Sequence, residues 1–207
     1  MSKVLIVDDH PAIRMAVKML LKNAGITDLL EADNGVDALK IINNENIDIV
    51  ILDLNIPQLD GMEVLHRTIK NKPEIKSLIL TTHTSDHFAL RCLQMGATGF
   101  VSKNEDLTNI VTATKAILSG HNYFPASTLA HSRSRKITNE EQLVQTLSDR
   151  ELMVLQQLSQ GFSNKEIAEK MLLSNKTIST YKARIIEKIG VKSIIDLTNF
   201  SKRNGLI

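Results

Sequence analysis

The stretch VLIVDDHP, residues 4–11, joins an apolar run directly to two adjacent carboxylates, Asp8 and Asp9. A short run rich in Val, Leu and Ile is typical of a strand that is buried on both faces of a parallel sheet, and we place this strand at residues 4–8. Two carboxylates a few ångströms apart repel each other, and one of them protonates unless a cation lies nearby. The stretch therefore predicts a buried strand that ends at a cation-binding edge.

Four further apolar runs follow, at residues 28–32, 47–53, 77–82 and 98–103. Between the runs, apolar residues recur every three or four positions, which is the spacing of a helix with one buried face. Five repeats of strand and helix predict an α/β domain with a doubly wound five-stranded parallel sheet and right-handed crossovers.

In such a sheet, ligands bind beyond the carboxyl ends of the strands, where the strand order reverses. Asp53 ends the third predicted strand, so we expect it to lie close to Asp8 and Asp9. Mg²⁺ suits this cluster because it prefers oxygen ligands and needs few carboxylates. Thr81 and Lys103 end the next two strands in sequence, adding a hydroxyl and an ammonium group that can hold phosphoryl oxygens. Asp53 is then placed to act as a nucleophile that forms an acyl phosphate.

Charge divides the 207-residue chain into two unlike parts. Residues 1–125 hold 12 Lys+Arg against 15 Asp+Glu, whereas residues 126–207 hold 13 against 8. A basic part joined to an acidic part suggests that the basic part binds nucleic acid. The N-terminus carries no signal pattern and no apolar run approaches the ~20 residues of a membrane helix, so we expect a cytoplasmic protein without a membrane partner.

The second part of the chain is predicted to be all helical. After a polar linker at residues 123–146, four amphipathic segments begin near Ser148, Ser163, Ser174 and Ser193, each suited to cap a helix N-terminus. In the segment that starts near Asn175, one face is apolar and the opposite face is polar and basic. Two short helices joined by a tight turn, the second with a free polar face, predict a helix-turn-helix that reads a major groove.

The motifs VLIVDDHP, IVILDLNIPQLDGMEVL, LILTT and GATGFVSK resemble the receiver domain of two-component response regulators over residues 1–122. The resemblance implies a phosphoacceptor, a set of Mg²⁺ ligands and a switch that senses the phosphoryl group. Asp53 is the implied phosphoacceptor. The implied metal ligands are Asp8, Asp9, Asp53 and the backbone carbonyl of Asn55, and the implied switch and phosphate-binding residues are Thr81, Phe100 and Lys103.

Residues 147–207 resemble the LuxR/NarL-type DNA-binding domain, and the whole chain resembles the NarL/FixJ regulators, most of all the branch with BvgA and EvgA. The resemblance implies a homodimer that binds promoter DNA after a sensor histidine kinase or phosphotransfer domain phosphorylates Asp53. The implied base-facing residues are Lys176, Ser179, Thr180 and Ala183, and the implied phosphate contacts are Lys182, Arg184 and Lys188.

Several alternatives stay open from the sequence. A phosphatase of the haloacid-dehalogenase type would use a similar pocket, but it needs a second Asp where this chain has Asn55, so we do not expect an enzyme. The other alternative is a DNA-binding protein that acts without phosphorylation and uses its receiver domain only to dimerise. His83 and His87 form a weak metal candidate. Methionines at helical spacing, among them Met15 and Met19, are expected in the core, and the apolar last helix offers a dimer seam.

Overall fold

The computed structural model describes residues 2–82, 86–133 and 139–207. The chain divides into two compact units, Met1–Ser132 and Arg133–Ile207, and each is described by itself. The division falls within the linker expected at residues 123–146, which here contains helical segments on both sides of the boundary.

The first unit is built on five parallel strands, as the sequence predicted. They are β1 (Lys3–Val7), β2 (Asp28–Ala32), β3 (Ile49–Leu52), β4 (Lys76–Thr81) and β5 (Gly99–Ser102). Their order in the sheet is β2-β1-β3-β4-β5. The chain passes from β1 to β2 on one side and then returns to β3 on the other side of β1. The strand order therefore reverses there, and the crevice expected of a doubly wound fold lies between the carboxyl ends of β1 and β3.

Helices cover both faces of this sheet. They are α1 (Pro11–Asn23), α2 (Gly35–Asn44), α3 (Gly61–Asn71), α4 (Asp86–Met95) and α5 (Asn109–Leu118). A further helix, α6 (Ala126–Arg133), follows in the chain. Alternate strand residues such as Ile6, Ile51 and Leu80 pack with Val17 of α1 and Ile110 of α5 in one core. On the other face α2 and α3 pack together. Cys92 of α4 is fully buried, and its Sγ atom lies 4.0 Å from the Sδ atom of Met62.

The chain after α5 is fixed to the edge of the sheet. The amide of Phe100 donates to the carbonyl of Tyr123, and the amide of Tyr123 donates to the carbonyl of Thr98, at 2.8 and 3.0 Å. These bonds form a parallel bridge beside β5.

The second unit contains α7 (Asn139–Thr146), α8 (Asp149–Ser159), α9 (Asn164–Lys170), α10 (Asn175–Ile189) and α11 (Ile194–Arg203). Helix α8 lies at its centre and contacts α9, α10 and α11. Fully buried side chains from these helices form the core: Leu152, Leu155, Ile167, Ile178, Ile185 and Leu197. Among the described residues, no helix is both long enough and apolar enough to cross a bilayer.

The expected burial of Met15 and Met19 is wrong. Their side chains are 64% and 59% exposed on the outer face of α1. The four-residue spacing places both residues on one face, but Val17 and Leu21 take the face that packs on the sheet. On α11, Ile194 and Ile195 are exposed, so these side chains of the predicted dimer interface are accessible to solvent in the single chain.

Candidate phosphoacceptor pocket and nucleic-acid interface

The carboxylates that follow β1 and β3 converge, as the strand positions predicted. Register places Val7 beside Leu52, so the residues that follow these two strands lie at the same edge. Asp8, Asp9, His10 and Asp53 each offer a ligand atom, and these atoms lie within 4.8 Å of one another. Asp8 and Asp53 are almost fully buried, while Asp9 is half-buried. Carboxylates this close, with two of them buried, favour the presence of a cation.

Lys103 supplies one cation from the end of β5. Its ammonium lies 2.6 Å from Asp53 Oδ2 and 2.6 Å from Asp8 Oδ2, and its side chain is 6% exposed. Burial alone would lower the pKa of Lys103, but the carboxylates of Asp53 and Asp8 outweigh burial and raise that pKa. Burial raises the pKa of the Asp53 carboxyl and Asp8 adds to the rise, while Lys103 opposes it. Lys103 therefore stays charged in the pocket.

Two close backbone approaches hold the loop between β3 and α3. A Cβ atom on Gly61 would lie 2.1 Å from the carbonyl oxygen of Asp53, and one on Gly35 would lie 2.1 Å from that of Leu59. The Gly61 amide donates to the carbonyl of Leu54 at 3.0 Å, and Asp60 caps α3 by accepting from the amide of Glu63. Glycine at position 61 thus lets α3 start directly against the backbone of Asp53.

The structure also places the other predicted pocket residues. Thr81 is fully buried at the end of β4, where its carbonyl accepts a hydrogen bond from the amide of Lys103 at 2.8 Å. The amide of Asn55 donates to Asp53 Oδ1 at 3.2 Å, which places Asn55 beside the carboxylate. Phe100 is 4% exposed, so any movement that couples it to Thr81 starts from a buried side chain. The roles of these residues remain predictions.

The pocket residues fit a divalent cation with oxygen ligands. Asp8 Oδ2 and Asp9 Oδ1 are buried and make no hydrogen bond with any described group, although Lys103 Nζ and His10 Nδ1 lie 2.6 Å from them. These ion contacts have the distance but not the angles of hydrogen bonds. Buried carboxylate oxygens left in this way have capacity to bind a metal ion.

Sequence reasoning missed two residues that support the pocket. His10 Nδ1 lies 2.6 Å from Asp9 Oδ1, and the His10 amide donates to Asp8 Oδ1 at 2.9 Å. Arg14 Nη1 donates to the carbonyl of Asp8 at 2.7 Å from one turn into α1. The position of His10 beside the acidic doublet was a usable signal, whereas the reach of Arg14 back over a helical turn was not. Of the weak metal candidate, His83 lies outside the described residues, as does the side chain of His87.

Serine caps start each helix of the second unit after α7. Ser148 and Ser163 form capping boxes with Glu151 and Glu166, as their spacing predicted. Ser174 accepts from the amide of Thr177 and begins α10, and Ser193 caps α11. The predicted turn before α10 contains no glycine, and Leu172 takes the left-handed conformation there at φ 52°. The cap and the turn therefore fix where α10 begins.

Helix α10 buries the apolar face that the sequence predicted and exposes most of the polar one. Ile178, Ile185 and Ile189 are buried and Tyr181 is half-buried. Of the predicted DNA contacts, Lys182 is half-buried and the others are exposed: Lys176, Ser179, Thr180, Ala183, Arg184 and Lys188. Three of these already have partners: the hydroxyls of Ser179 and Thr180 donate to the carbonyls of Asn175 and Lys176, and Lys188 pairs with Glu151.

Comparison with protein families decides the identity of both units. The model of the response regulator receiver domain matches residues 4–115, which is more than half of the chain. The model of the bacterial regulatory proteins of the luxR family matches residues 145–201. The chain belongs to the LuxR-type response regulators. This LuxR-type response regulator therefore joins a receiver domain to a DNA-binding domain, as the motifs predicted.

Full-length relatives share this architecture. The regulator is 45% identical over 206 residues to BvgA, a positive transcription regulator of virulence factors in Bordetella pertussis, with 99% of each chain covered. It is 39% identical over 203 residues to the DNA-binding transcriptional activator EvgA of Escherichia coli K12, with 98% of each covered. Among solved structures, the RcsB response regulator of Salmonella typhimurium is 25% identical with a TM-score of 0.68, covering 99% of this chain and 100% of that one.

A second RcsB structure is informative for its ligands. It shows RcsB of Salmonella enterica serovar Typhimurium bound to promoter P1flhDC in the presence of the phosphomimetic BeF₃⁻. The regulator is 25% identical to that chain, with a TM-score of 0.64 and coverage of 96% and 97%.

Proposed function

We propose that this response regulator accepts a phosphoryl group on Asp53 and then binds promoter DNA through α10 as a homodimer. The observation that carries the proposal is the convergence of Asp8, Asp9, Asp53 and Lys103 at the carboxyl edge of β1 and β3. A carboxylate nucleophile beside a buried ammonium matches the charge requirements of phosphoryl transfer.

The transfer step follows from the chemistry of the pocket residues. A carboxylate oxygen of Asp53 attacks the phosphorus of a phosphohistidine, the P–N bond breaks, and its electron pair returns to the leaving imidazole nitrogen, which takes a proton from water. Lys103 neutralises the charge that gathers on the phosphoryl oxygens, from its position 2.6 Å from Asp53 Oδ2. The buried Thr81 hydroxyl is the proposed hydrogen-bond partner of the aspartyl phosphate.

A bound Mg²⁺ would be held by Asp8, Asp9, Asp53 and the carbonyl of Asn55, and it supplies further neutralisation of the phosphoryl charge. The proposed donors are a sensor histidine kinase or a phosphotransfer domain. Because both the proposed donor and chromosomal DNA act there, we propose a cytoplasmic location.

DNA binding is proposed for the exposed face of α10. Lys176, Lys182 and Arg184 make no ion pair with any residue in the described ranges, so their charges are available to phosphates. Ser179, Thr180 and Ala183 are small side chains that allow close approach to base edges. The dimer is proposed to bind paired half-sites.

Acetyl phosphate tests the chemistry directly. Incubation with Mg²⁺ should add one phosphoryl group to the wild-type chain, detected by intact mass, and Asp53→Ala should abolish it. Asp60→Ala is the matched control, because Asp60 is an aspartate in the same loop that caps α3 and has no proposed role in the transfer. Labelling that persists in Asp53→Ala would place the nucleophile elsewhere.

A further inference from the structure

An ion pair in the second unit joins the helix that carries the predicted DNA contacts to the helix at the centre of the fold. Lys188 Nζ, near the end of α10, lies 2.6 Å from Glu151 Oε2 in the first turn of α8. The same ammonium donates to the carbonyl of Thr146 at 3.0 Å. The Glu151 side chain is 4% exposed and that of Lys188 is 38% exposed. The pair is therefore buried on its acidic side.

Glu151 joins α8 to α10 and also closes the N-terminal cap of α8. Its Oε2 atom also accepts the amide of Ser148 at 2.7 Å, which closes the capping box of α8. Burial by itself raises the pKa of Glu151, but the hydrogen bonds from Lys188 and Ser148 outweigh burial and keep this pKa below its ordinary value. Glu151 is thus an anion at neutral pH, and a buried anion that loses its partner is strongly destabilising.

Lys188 lies at the border between the buried face of α10 and the predicted DNA face. Lys188 follows Tyr181 by seven residues, which puts the two side chains within about 20° of each other around the helix. Tyr181 is half-buried on the side that packs inward. Thr180, on the exposed face, lies about 80° from Lys188 by the same spacing. Lys176 lies about 120° from Lys188 by this spacing, whereas Arg184 lies only about 40° from it. What separates Lys188 from Arg184 is therefore its pair of partners, Glu151 and the carbonyl of Thr146.

We propose that Lys188 is a positioning residue for sequence reading and makes no contact with DNA phosphate. This inference rests on the proposed DNA-binding function and revises the predicted role of Lys188. The Lys188–Glu151 pair fixes the C-terminal half of α10 on α8, while Asn164 of α9 donates to Ser179 at 3.1 Å and holds the N-terminal half.

The two attachments together set the rotation of α10. Without the pair, α10 keeps its apolar contacts but loses the directional bond near its end. A helix free to rotate still meets phosphates, whose attraction depends little on angle, but it matches the donors and acceptors of base edges less well. Loss of the pair should therefore reduce discrimination between sequences more than it reduces attraction to DNA.

The test uses the full chain and two duplexes of equal length. One is enriched by the wild-type chain from a random pool, and the other is an unselected member of that pool. Affinities over a range of salt concentrations are measured for Lys188→Met, Glu151→Gln, the double variant, and Lys182→Met as the matched lysine control. Thermal unfolding of each variant shows that it folds.

Lys188→Met and Glu151→Gln should each lower the ratio of selected to unselected affinity by about tenfold, a size typical of contacting residues. The double variant should lose no more than either single variant, and the slope of log K against log[salt] should stay as in the wild type. Lys182→Met should weaken both duplexes equally and make the slope shallower by about 0.9.

Two results would overturn the positioning role. One is a Lys188→Met chain that behaves like Lys182→Met while Glu151→Gln binds as the wild type does. The other is a ratio of selected to unselected affinity that is the same for Glu151→Gln as for the wild type. This result is decisive even when Lys188→Met does not fold, because Glu151→Gln keeps an acceptor for the amide of Ser148. A wild-type chain that enriches no sequence at all would instead overturn the DNA-reading function, before any variant is compared.

Discussion

Replacement of Gly61 by alanine tests how tightly the phosphoacceptor is held. The added Cβ would lie 2.1 Å from the carbonyl oxygen of Asp53 and 2.6 Å from the Cα of Leu54. Both are backbone atoms, so no side-chain rotation relieves the overlap. The start of α3 must move away from the end of β3, and Asp53 must move with its own carbonyl.

The expected loss of unfolding free energy follows from the overlap of the added Cβ with backbone atoms. Overpacking against a well-packed neighbour typically costs about 1–3 kcal/mol, and an overlap with fixed backbone belongs at the upper end, about 3 kcal/mol. For a receiver-sized domain this lowers the unfolding midpoint by about 10 °C. Gly120→Ala is the matched control, because Gly120 has nothing within 4 Å of the new Cβ and bears only the strain of its φ of 88°. That strain costs about 1–2 kcal/mol.

Calorimetry and acetyl phosphate labelling measure the two consequences. Gly61→Ala should unfold at a lower temperature than Gly120→Ala and should be labelled more slowly, since Asp53 no longer sits against Lys103. An unfolding midpoint of Gly61→Ala equal to that of Gly120→Ala, together with labelling at the wild-type rate, would show that Asp53 is not held by this contact.

Three further predictions concern charge. Lys103→Met should lower the unfolding free energy by about 3 kcal/mol in urea titrations without Mg²⁺, because it removes the ammonium between two buried carboxylates; an unchanged midpoint contradicts this. The pKa of Glu151 is lowered from 4.5, so its stabilising effect is present above that pH and is lost as pH falls through the lower folded value. Glu151→Gln should therefore have a lower free energy of unfolding than the wild type at pH 7, and the gap between the two should narrow below about pH 4.5. A gap that stays constant as the pH falls would show that the ionisation of Glu151 is not coupled to folding. Arg184→Ala should weaken selected and unselected duplexes alike and make the salt slope shallower by about 0.9, whereas an unchanged slope would remove Arg184 from the phosphate contacts.

The pocket could be predicted because strand ends are readable in sequence. Residues that follow parallel strands meet at one edge, so the positions of Asp8, Asp53 and Lys103 after apolar runs were enough to place them together. The serine caps of α8 to α11 were equally readable, since capping depends on local spacing.

Features that depend on packing could not be predicted in this way. Met15 and Met19 share a helical face, but which face of α1 meets the sheet is set by Val17 and Leu21 together with the strands beneath. The ion pair of Lys188 could not be predicted from sequence either, because its partner Glu151 lies 37 residues earlier. Long-range pairing of this kind is fixed only when the helices pack.

We propose that a phosphoryl group on Asp53 controls the DNA-binding unit. The most direct test adds beryllofluoride with Mg²⁺ to the wild-type chain and to Asp53→Asn, and measures dimer fraction and affinity for the selected duplex. Both quantities should rise in the wild type and stay unchanged in Asp53→Asn. Equal values with and without beryllofluoride in the wild type, or an equal rise in both chains, would contradict it.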